Sequence, residues 1–290
     1  MKTTKLIFGC GYLGHRVARA WQAQGERVTV ATRSTDRAGV LAAEGFETIV
    51  ADVTEPLSLR SLPPAETLLF AVGYDRRQTQ SIGEVYAGGL ANVLRGLPAG
   101  VERIIYISST GVYGDSSGDW IDEDTPAEPT RAGGKACLAA EQELFAHRLG
   151  DCGIVLRLSG IYGPGRIPRA DDLKAGLPLA AHADGLLNLI HVDDATNAVL
   201  AAAQRAVPPV VINVTDGRPT LRREYYAELS RLLGTPRPVF TAPADDANER
   251  ARGGANKRIG NSQMQTALGL ELQYPSFREG LAAIVASQES

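Results

Sequence analysis

A chain of 290 residues is long enough for one large α/β domain with a smaller lobe, and it can bury a sizeable core without metal or disulfide staples. Thirty Lys and Arg against thirty-three Asp and Glu leave a net charge of −3, which excludes the broad positive field that nucleic acid or an anionic membrane surface calls for. Three cysteines, Cys10, Cys137 and Cys152, form no CxxC pair, so neither a zinc ribbon nor a disulfide framework is expected, and the reducing cytoplasm is the expected compartment.

The opening "MKTTKLIFGCG" has two lysines and an apolar run, but only Leu6, Ile7 and Phe8 precede the break at Gly9. That is too short for an export signal, and no stretch of eighteen apolar residues offers a membrane span. In chain order, Lys5 to Phe8 reads as a short buried strand. Leu13 to Gln24 reads as a helix with Leu13, Val17, Ala20 and Trp21 on one face. Strands follow at Arg27 to Ala31, Glu47 to Ala51, Thr67 to Val72, Arg103 to Ser108 and Ile154 to Leu158. Helical stretches lie near 35 to 44, 79 to 96 and 134 to 149. This alternation predicts a doubly wound parallel sheet, and the almost wholly apolar "TLLFAV" and "RIIYIS" fit strands covered on both faces.

Beyond residue 160 the chain turns rich in Gly and Pro. A helix is expected from Asp193 to about Arg205, then the strand "PVVINV", a helix from Leu221 to Leu233, a polar loop at 241 to 254, and a closing helix near Ser276 to Ala286. The parse is a nucleotide-binding domain over 1–160, with 186–215 returning to it, and a small lobe from 161–185 and 216–290.

"GCGYLG", Gly9 to Gly14, fits GxGxxG. With 31 glycines in the chain this spacing arises by chance about 0.3 times, so its place between the first strand and the first helix carries the weight. There Gly9, Gly11 and Gly14 allow a tight turn and close backbone approach, and Tyr12 and Leu13 open a helix whose N-terminus receives a pyrophosphate. The second strand ends in Thr32, Arg33 and Ser34, where an NAD site usually carries an acid. Arg33 offers a fork for a 2′-phosphate, with Ser34 adding a hydroxyl, or else Arg33 is a solvated loop residue. NADP is therefore the expected cofactor, with NAD as the alternative. Asp52, followed by Val53, hydrogen-bonds the adenine or caps the next helix. Ala71, Val72 and Gly73, at the end of the fourth strand, complete the expected cofactor site.

"IIYISSTGVYG", "RLSGIYGPGR", "IHVDDATNAV" and "NVTDGRPT" resemble, in order, signatures of the extended short-chain dehydrogenase/reductase family, the NAD(P)-dependent epimerases and dehydratases. The resemblance runs from residue 5 to about 285. It implies a Rossmann domain with a seven-strand parallel sheet, a C-terminal substrate lobe and a small-molecule substrate that is sugar-like or nucleotide-linked. By analogy it implies a homodimer formed through helices that flank the sheet. It also implies a Ser that steadies the substrate oxygen, matched by Ser109, and a Lys that binds the nicotinamide ribose, matched by Lys135. Four residues before that Lys the family has a proton-transferring Tyr. Here the position falls on Arg131, and no tyrosine occurs between Tyr113 and Tyr162.

Arg131 stays protonated at any working pH, so it can stabilise an oxyanion but cannot deliver a proton. Alternatively the helix begins at Gly134 and Arg131 is a loop residue paired with an acid such as Glu128. Tyr113, Tyr162 and Tyr74, each just after a strand end, are the expected substitute donors, and Tyr74 and Tyr162 are also candidate substrate contacts. Arg258 either clamps a substrate anion or is solvated. His191 and Asp193 are expected to organise a helix start. "GDSSG", Gly114 to Gly118, matches GxSxG but leads into an acidic loop instead of a helix, which speaks against a hydrolase. Two functions follow: an NADP-dependent oxidoreductase, epimerase or dehydratase, or a sensor that binds NADP(H) and has lost the proton-transfer residue.

Overall fold

The computed structural model describes residues 4–114, 116–242 and 256–288. Residues 243–254 of the expected polar loop lie outside the described residues. The first half alternates as the periodicity predicts: β1 (Thr4–Phe8), α1 (Tyr12–Ala23), β2 (Arg27–Thr32), α2 (Thr35–Ala43), β3 (Glu47–Val50), β4 (Thr67–Phe70), α3 (Gly89–Gly96) and β5 (Arg103–Ser109). Next come β6 (Trp120–Ile121), α4 (Ala132–Ala146), β7 (Gly153–Leu158), β8 (Gly160–Tyr162), α5 (Ala170–Lys174), β9 (Leu179–Ala180), β10 (Leu186–Leu187) and β11 (Leu189–His191). The chain continues with α6 (Val192–Arg205), β12 (Val210–Val214), β13 (Thr220–Leu221), α7 (Arg222–Leu233), β14 (Phe240–Thr241), β15 (Arg258–Ile259), α8 (Ser262–Leu268) and α9 (Phe277–Gln288).

Seven strands form one sheet in the order β12, β7, β5, β4, β1, β2, β3, with every neighbouring pair parallel. Successive strand residues face opposite sides, so Ile7 joins a core with Val17, Trp21 and Val199 under α1 and α6, while Leu6 and Phe8 join Leu90, Val93 and Leu144 under α3 and α4. Burial on both faces is why the central strand β4, TLLF, carries no polar alternation. A third cluster, Tyr162, Leu179, Leu189, Tyr225 and Leu281, is the core of the lobe.

Two boundaries differ from the sequence parse. Leu189 packs in the lobe cluster, and α8 packs on the Rossmann core, because Met264 and Leu268, one turn apart, both face the α6 side. Within the expected helix at 79–96, the turn from Glu84 to Gly88 widens to a π-helix before α3 begins. Gly89 then rests against Val53, where a Cβ would come within 2.7 Å of the Val53 methyl.

The topology places a switch point between β1 and β4, the neighbours from which the sheet is wound in opposite directions, and their C-terminal ends open the crevice where such sheets take ligands. Helix α4 starts at Ala132 with Arg131 as its N-cap residue in extended conformation, so its first turn precedes Gly134. Gly134 seats that turn on the loop after β5, since a Cβ there would overlap the Gly111 carbonyl. His191 caps α6: its Nδ1 accepts the Asp193 N–H at 3.2 Å, and Asp193 lies in the first turn as an acid should.

Candidate functional site

The glycine loop separates into two roles. Gly9 has φ +95°, and a Cβ on it would overlap the Ala71 carbonyl at the end of β4, while a Cβ on Gly14 would overlap the Gly9 carbonyl. These two glycines are demanded by the protein's own packing. Gly11 is not: a Cβ there would meet no protein atom within 4 Å, yet the residue is the N-cap of α1, beside main-chain N–H groups that have no intrahelical partner. A glycine that packing does not require, at a helix N-terminus facing a cleft, fits an anionic ligand brought close to the backbone.

Two connected hollows share Gly9, Val72 and Gly73. The first, of about 660 Å³, lies under the tip of β2 and is lined by Ala31, Thr32, Arg33, Arg37, Asp52, Val53 and Gln78 among others. No acid stands at the end of β2. Arg33 donates to the Gln78 side-chain oxygen at 2.7 Å, which holds the guanidinium at the rim. The Ser34 hydroxyl accepts the Arg37 N–H at 3.2 Å as the N-cap of α2 and keeps its own proton to donate. One Asp52 oxygen is committed to Thr54, accepting its N–H at 2.8 Å and its hydroxyl at 2.7 Å, and thereby fixes the turn that forms this wall.

The second hollow, of about 1180 Å³, runs from Gly11, Tyr12, Leu13 and Gly14 past Ala71 to the ends of β5 and β7. Its lining includes Ser108, Ser109, Thr110, Ser159 and Arg166, together with Tyr12, Tyr86 and Cys137. Ser109 accepts the Gly111 N–H at 3.0 Å, so its own hydroxyl proton remains to be given. Ser159 Oγ is buried and has no hydrogen-bond partner, an unsatisfied group that a ligand would complete. Beneath the floor, Ser108 donates to Glu141 at 2.5 Å, and Glu141 pairs with Arg157 at 2.6 Å, both carried on buried faces of α4 and β7. This pair is fully desolvated and clamps α4 to the strand that ends in the cleft.

The geometry corrects several expectations. Lys135 is exposed, is not among the residues lining either hollow, and makes no hydrogen bond or ion pair among the described residues. Cys137 lines the cleft instead. Two residues of helix are a rotation of about 200°, so a frame set on Lys135 points to the opposite side of α4 from one set on Cys137. Counting four back from Cys137 reaches Gly133, on the cleft side, and not Arg131. The buried stripe Cys137, Ala140, Glu141 and Leu144 is the sequence signal that would have found this face. The site therefore presents neither Tyr nor Lys from the first two turns of α4.

The substitute donors also move. Tyr113 is 2% exposed, with its hydroxyl accepting from Arg157 at 2.8 Å and donating to Asn213 at 3.0 Å; Tyr162 is 1% exposed and donates to the Ser276 carbonyl at 3.3 Å. Burial raises both phenols above their usual range, and neither lines the cleft, because each serves the packing beneath it. Tyr74 donates to the Gln80 carbonyl at 3.0 Å and lies outside the cleft lining. Arg258 is exposed and donates to the Gly118 carbonyl in the strap that pairs β15 with β6. Ser116, the serine of the GxSxG match, donates to the Asp119 carbonyl at 3.1 Å and sits on no nucleophile elbow. Sequence reasoning missed Tyr86, Cys137, Ser159 and Arg166, all four of which line the cleft.

Residues 6–215 match the model of the NAD dependent epimerase/dehydratase family. The chain belongs to that family. Protein YeeZ of Escherichia coli (strain K12) is 28% identical over 281 residues, 93% of this chain and 95% of that one. A 3-diazoavenalumate denitrifying reductase from Streptomyces sp is 28% identical over 303 residues, 93% of this chain and 96% of that one. Among solved structures, a functionally unknown conserved protein from Silicibacter pomeroyi DSS superposes with a TM-score of 0.81 at 31% identity, covering 100% of both chains. As in that family, the central element is a seven-strand parallel sheet of Rossmann type. Among the described residues no helix is long and apolar enough to cross a membrane, and no group of three or more His, Cys, Asp or Glu is placed to hold a metal ion.

Proposed function

We propose that this family member is an NADP(H)-dependent oxidoreductase, epimerase or dehydratase acting on a sugar-like or nucleotide-linked small molecule in the cytoplasm. The observation that carries the cofactor is the split among the glycines: Gly9 and Gly14 are spent on packing, whereas Gly11 is left for a ligand at the α1 N-terminus. The first-turn amides of α1 hold the diphosphate, and Asp52, Val53 and Ala71 to Gly73 wall the dinucleotide. Arg33, Ser34 and Arg37 at the β2 tip supply positive charge and a hydroxyl to a 2′-phosphate, which a terminal carboxylate would repel. Ala71 to Gly73 and Ser109 line the part of the crevice that would hold the nicotinamide, which would supply hydride. Ser109 and Ser159 hydroxyls donate to the substrate oxygen, and Arg166 at the cleft wall attracts an anionic part of the substrate. A homodimer through helices that flank the sheet is expected by analogy with the family, and sedimentation tests it.

A second reading rests on α4. With Gly133 and Cys137 on its cleft side, the chain binds NADP(H) as a sensor and performs no turnover. Fluorescence titration with NADPH and NADH decides the cofactor: at least tenfold tighter NADPH binding is expected, falling to parity in Arg33→Ala. Equal affinity for both in the parent chain overturns the NADP assignment. A screen of sugars, aldehydes and ketones for NADPH oxidation then separates enzyme from sensor, with loss of turnover in Ser109→Ala marking the enzyme.

A further inference from the structure

We propose that Tyr86 is the proton donor of this cleft, taking over from α4 the role that neither Arg131 nor Gly133 can fill. The inference rests on the NADP(H) reading above. Among the described residues, two tyrosines line the cleft, Tyr12 and Tyr86. The Tyr12 hydroxyl donates to the Pro164 carbonyl at 3.0 Å, and its ring is flanked by Arg16 at 4.2 Å and Arg166 at 5.3 Å, so its proton is committed and its ring is a platform.

Tyr86 is placed differently. It sits on the widened turn Glu84–Gly88, an irregularity that re-aims side chains and recurs at functional sites. It packs against the cluster of Val112, Tyr113 and Cys137. The titratable groups that act on it are Cys137, on α4, and Tyr106, on β5, with Glu141 behind them. Burial keeps its proton on at neutral pH, while a main-chain hydrogen bond from Tyr74 favours the phenolate once the proton leaves.

The step balances as follows. A reduced nicotinamide, when bound, would supply the hydride to a substrate carbonyl carbon; the carbonyl oxygen, left with the C=O π pair, takes its proton from the Tyr86 hydroxyl. The phenolate is reprotonated from water. Ser109, which also lines the cleft, donates to the oxygen throughout.

The test compares the full-length chain with Tyr86→Phe, checked by thermal melting to be folded. Phenol ionisation is followed at 295 nm, and the Tyr86 titration is read as parent minus variant. The oxidised nicotinamide ring is cationic, so saturating NADP⁺ is expected to move that titration to lower pH by about one pH unit, and NADPH is expected not to. In the carbonyl screen, Tyr86→Phe is expected to lower kcat about 100-fold and to abolish its high-pH limb, with KM and NADPH affinity within about threefold. A parent chain that binds NADPH but whose difference titration ignores NADP⁺ overturns the proposal alone, as does a variant with an unchanged kcat profile. A parent chain that does not bind NADPH overturns the cofactor reading itself.

Discussion

The two ends of the ligand crevice obey different constraints. At the β1 end, backbone geometry does the work: Gly9 and Gly14 fit only as glycines, and any residue change is felt by main chain. At the α4 end the backbone is as tightly determined, with Gly134 seated on Gly111 and Glu141 locked to Arg157, yet the side chains that would do chemistry have changed. A site built from backbone tolerates little change, whereas a single side chain at the cleft can differ without disturbing the fold.

The largest expected effect breaks the first end. Gly9→Ala forces an L-residue to φ +95° and drives its Cβ into the Ala71 carbonyl, so a loss of more than about 4 kcal/mol, seen as failure to fold or a collapsed denaturation midpoint, is expected. At the other end, Glu141→Ala leaves the buried Arg157 guanidinium without its carboxylate. About 3–5 kcal/mol should be lost, lowering Tm by about 10 °C. A melt within about 2 °C of the parent chain would mean that the α4 end is less determined than the β1 end.

Gly11→Ala sharpens the contrast within the loop. Its Cβ meets nothing of the protein, so stability should stay within about 1 kcal/mol while NADPH affinity falls at least tenfold, about 1.4 kcal/mol. An unchanged affinity would sink the assignment of the α1 N-terminus to the diphosphate.

Cys10 lines the hollow at the β2 tip and Cys137 the cleft, so one reagent interrogates both ends. Burial pushes both thiols up to about 11, so iodoacetamide labelling, read by peptide mass spectrometry, should be slow at pH 7.5 and rise roughly tenfold per pH unit toward that value. NADPH should protect both. Protection of Cys10 alone would mean that only the adenosine half is held and would favour the sensor.

How much of this was legible from the sequence follows the same division. The sheet was legible because its strands are short apolar blocks between turn residues, and the glycine loop because Gly9 and Gly14 stand where packing admits no side chain. The acid-free β2 tip was equally plain, since Thr32 to Ser34 are adjacent in sequence. The face of α4 was misjudged because a motif frame was anchored on the charged Lys135 and not on the buried stripe through Cys137 and Glu141. Tyr86 was invisible for a different reason: a regular helix over 79–96 gives no hint of the widened turn that carries Tyr86 at the cleft lining. Tyr113 looked available because Arg157 and Asn213, which consume its hydroxyl, lie 44 and 100 residues away along the chain.

The smallest expected effect tests that correction of frame. Lys135→Ala removes an exposed ammonium with no partner among the described residues, in the first turn of a helix whose dipole disfavours it, so stability should hold or rise by a few tenths of a kcal/mol. NADPH affinity should change by less than about twofold, because the side chain leaves α4 on the side away from Cys137. A tenfold loss would instead put the ammonium on the nicotinamide ribose. That would require the first turn of α4 to rotate by about 200° against the Gly111 carbonyl, where Gly134 leaves no room for a side chain to follow.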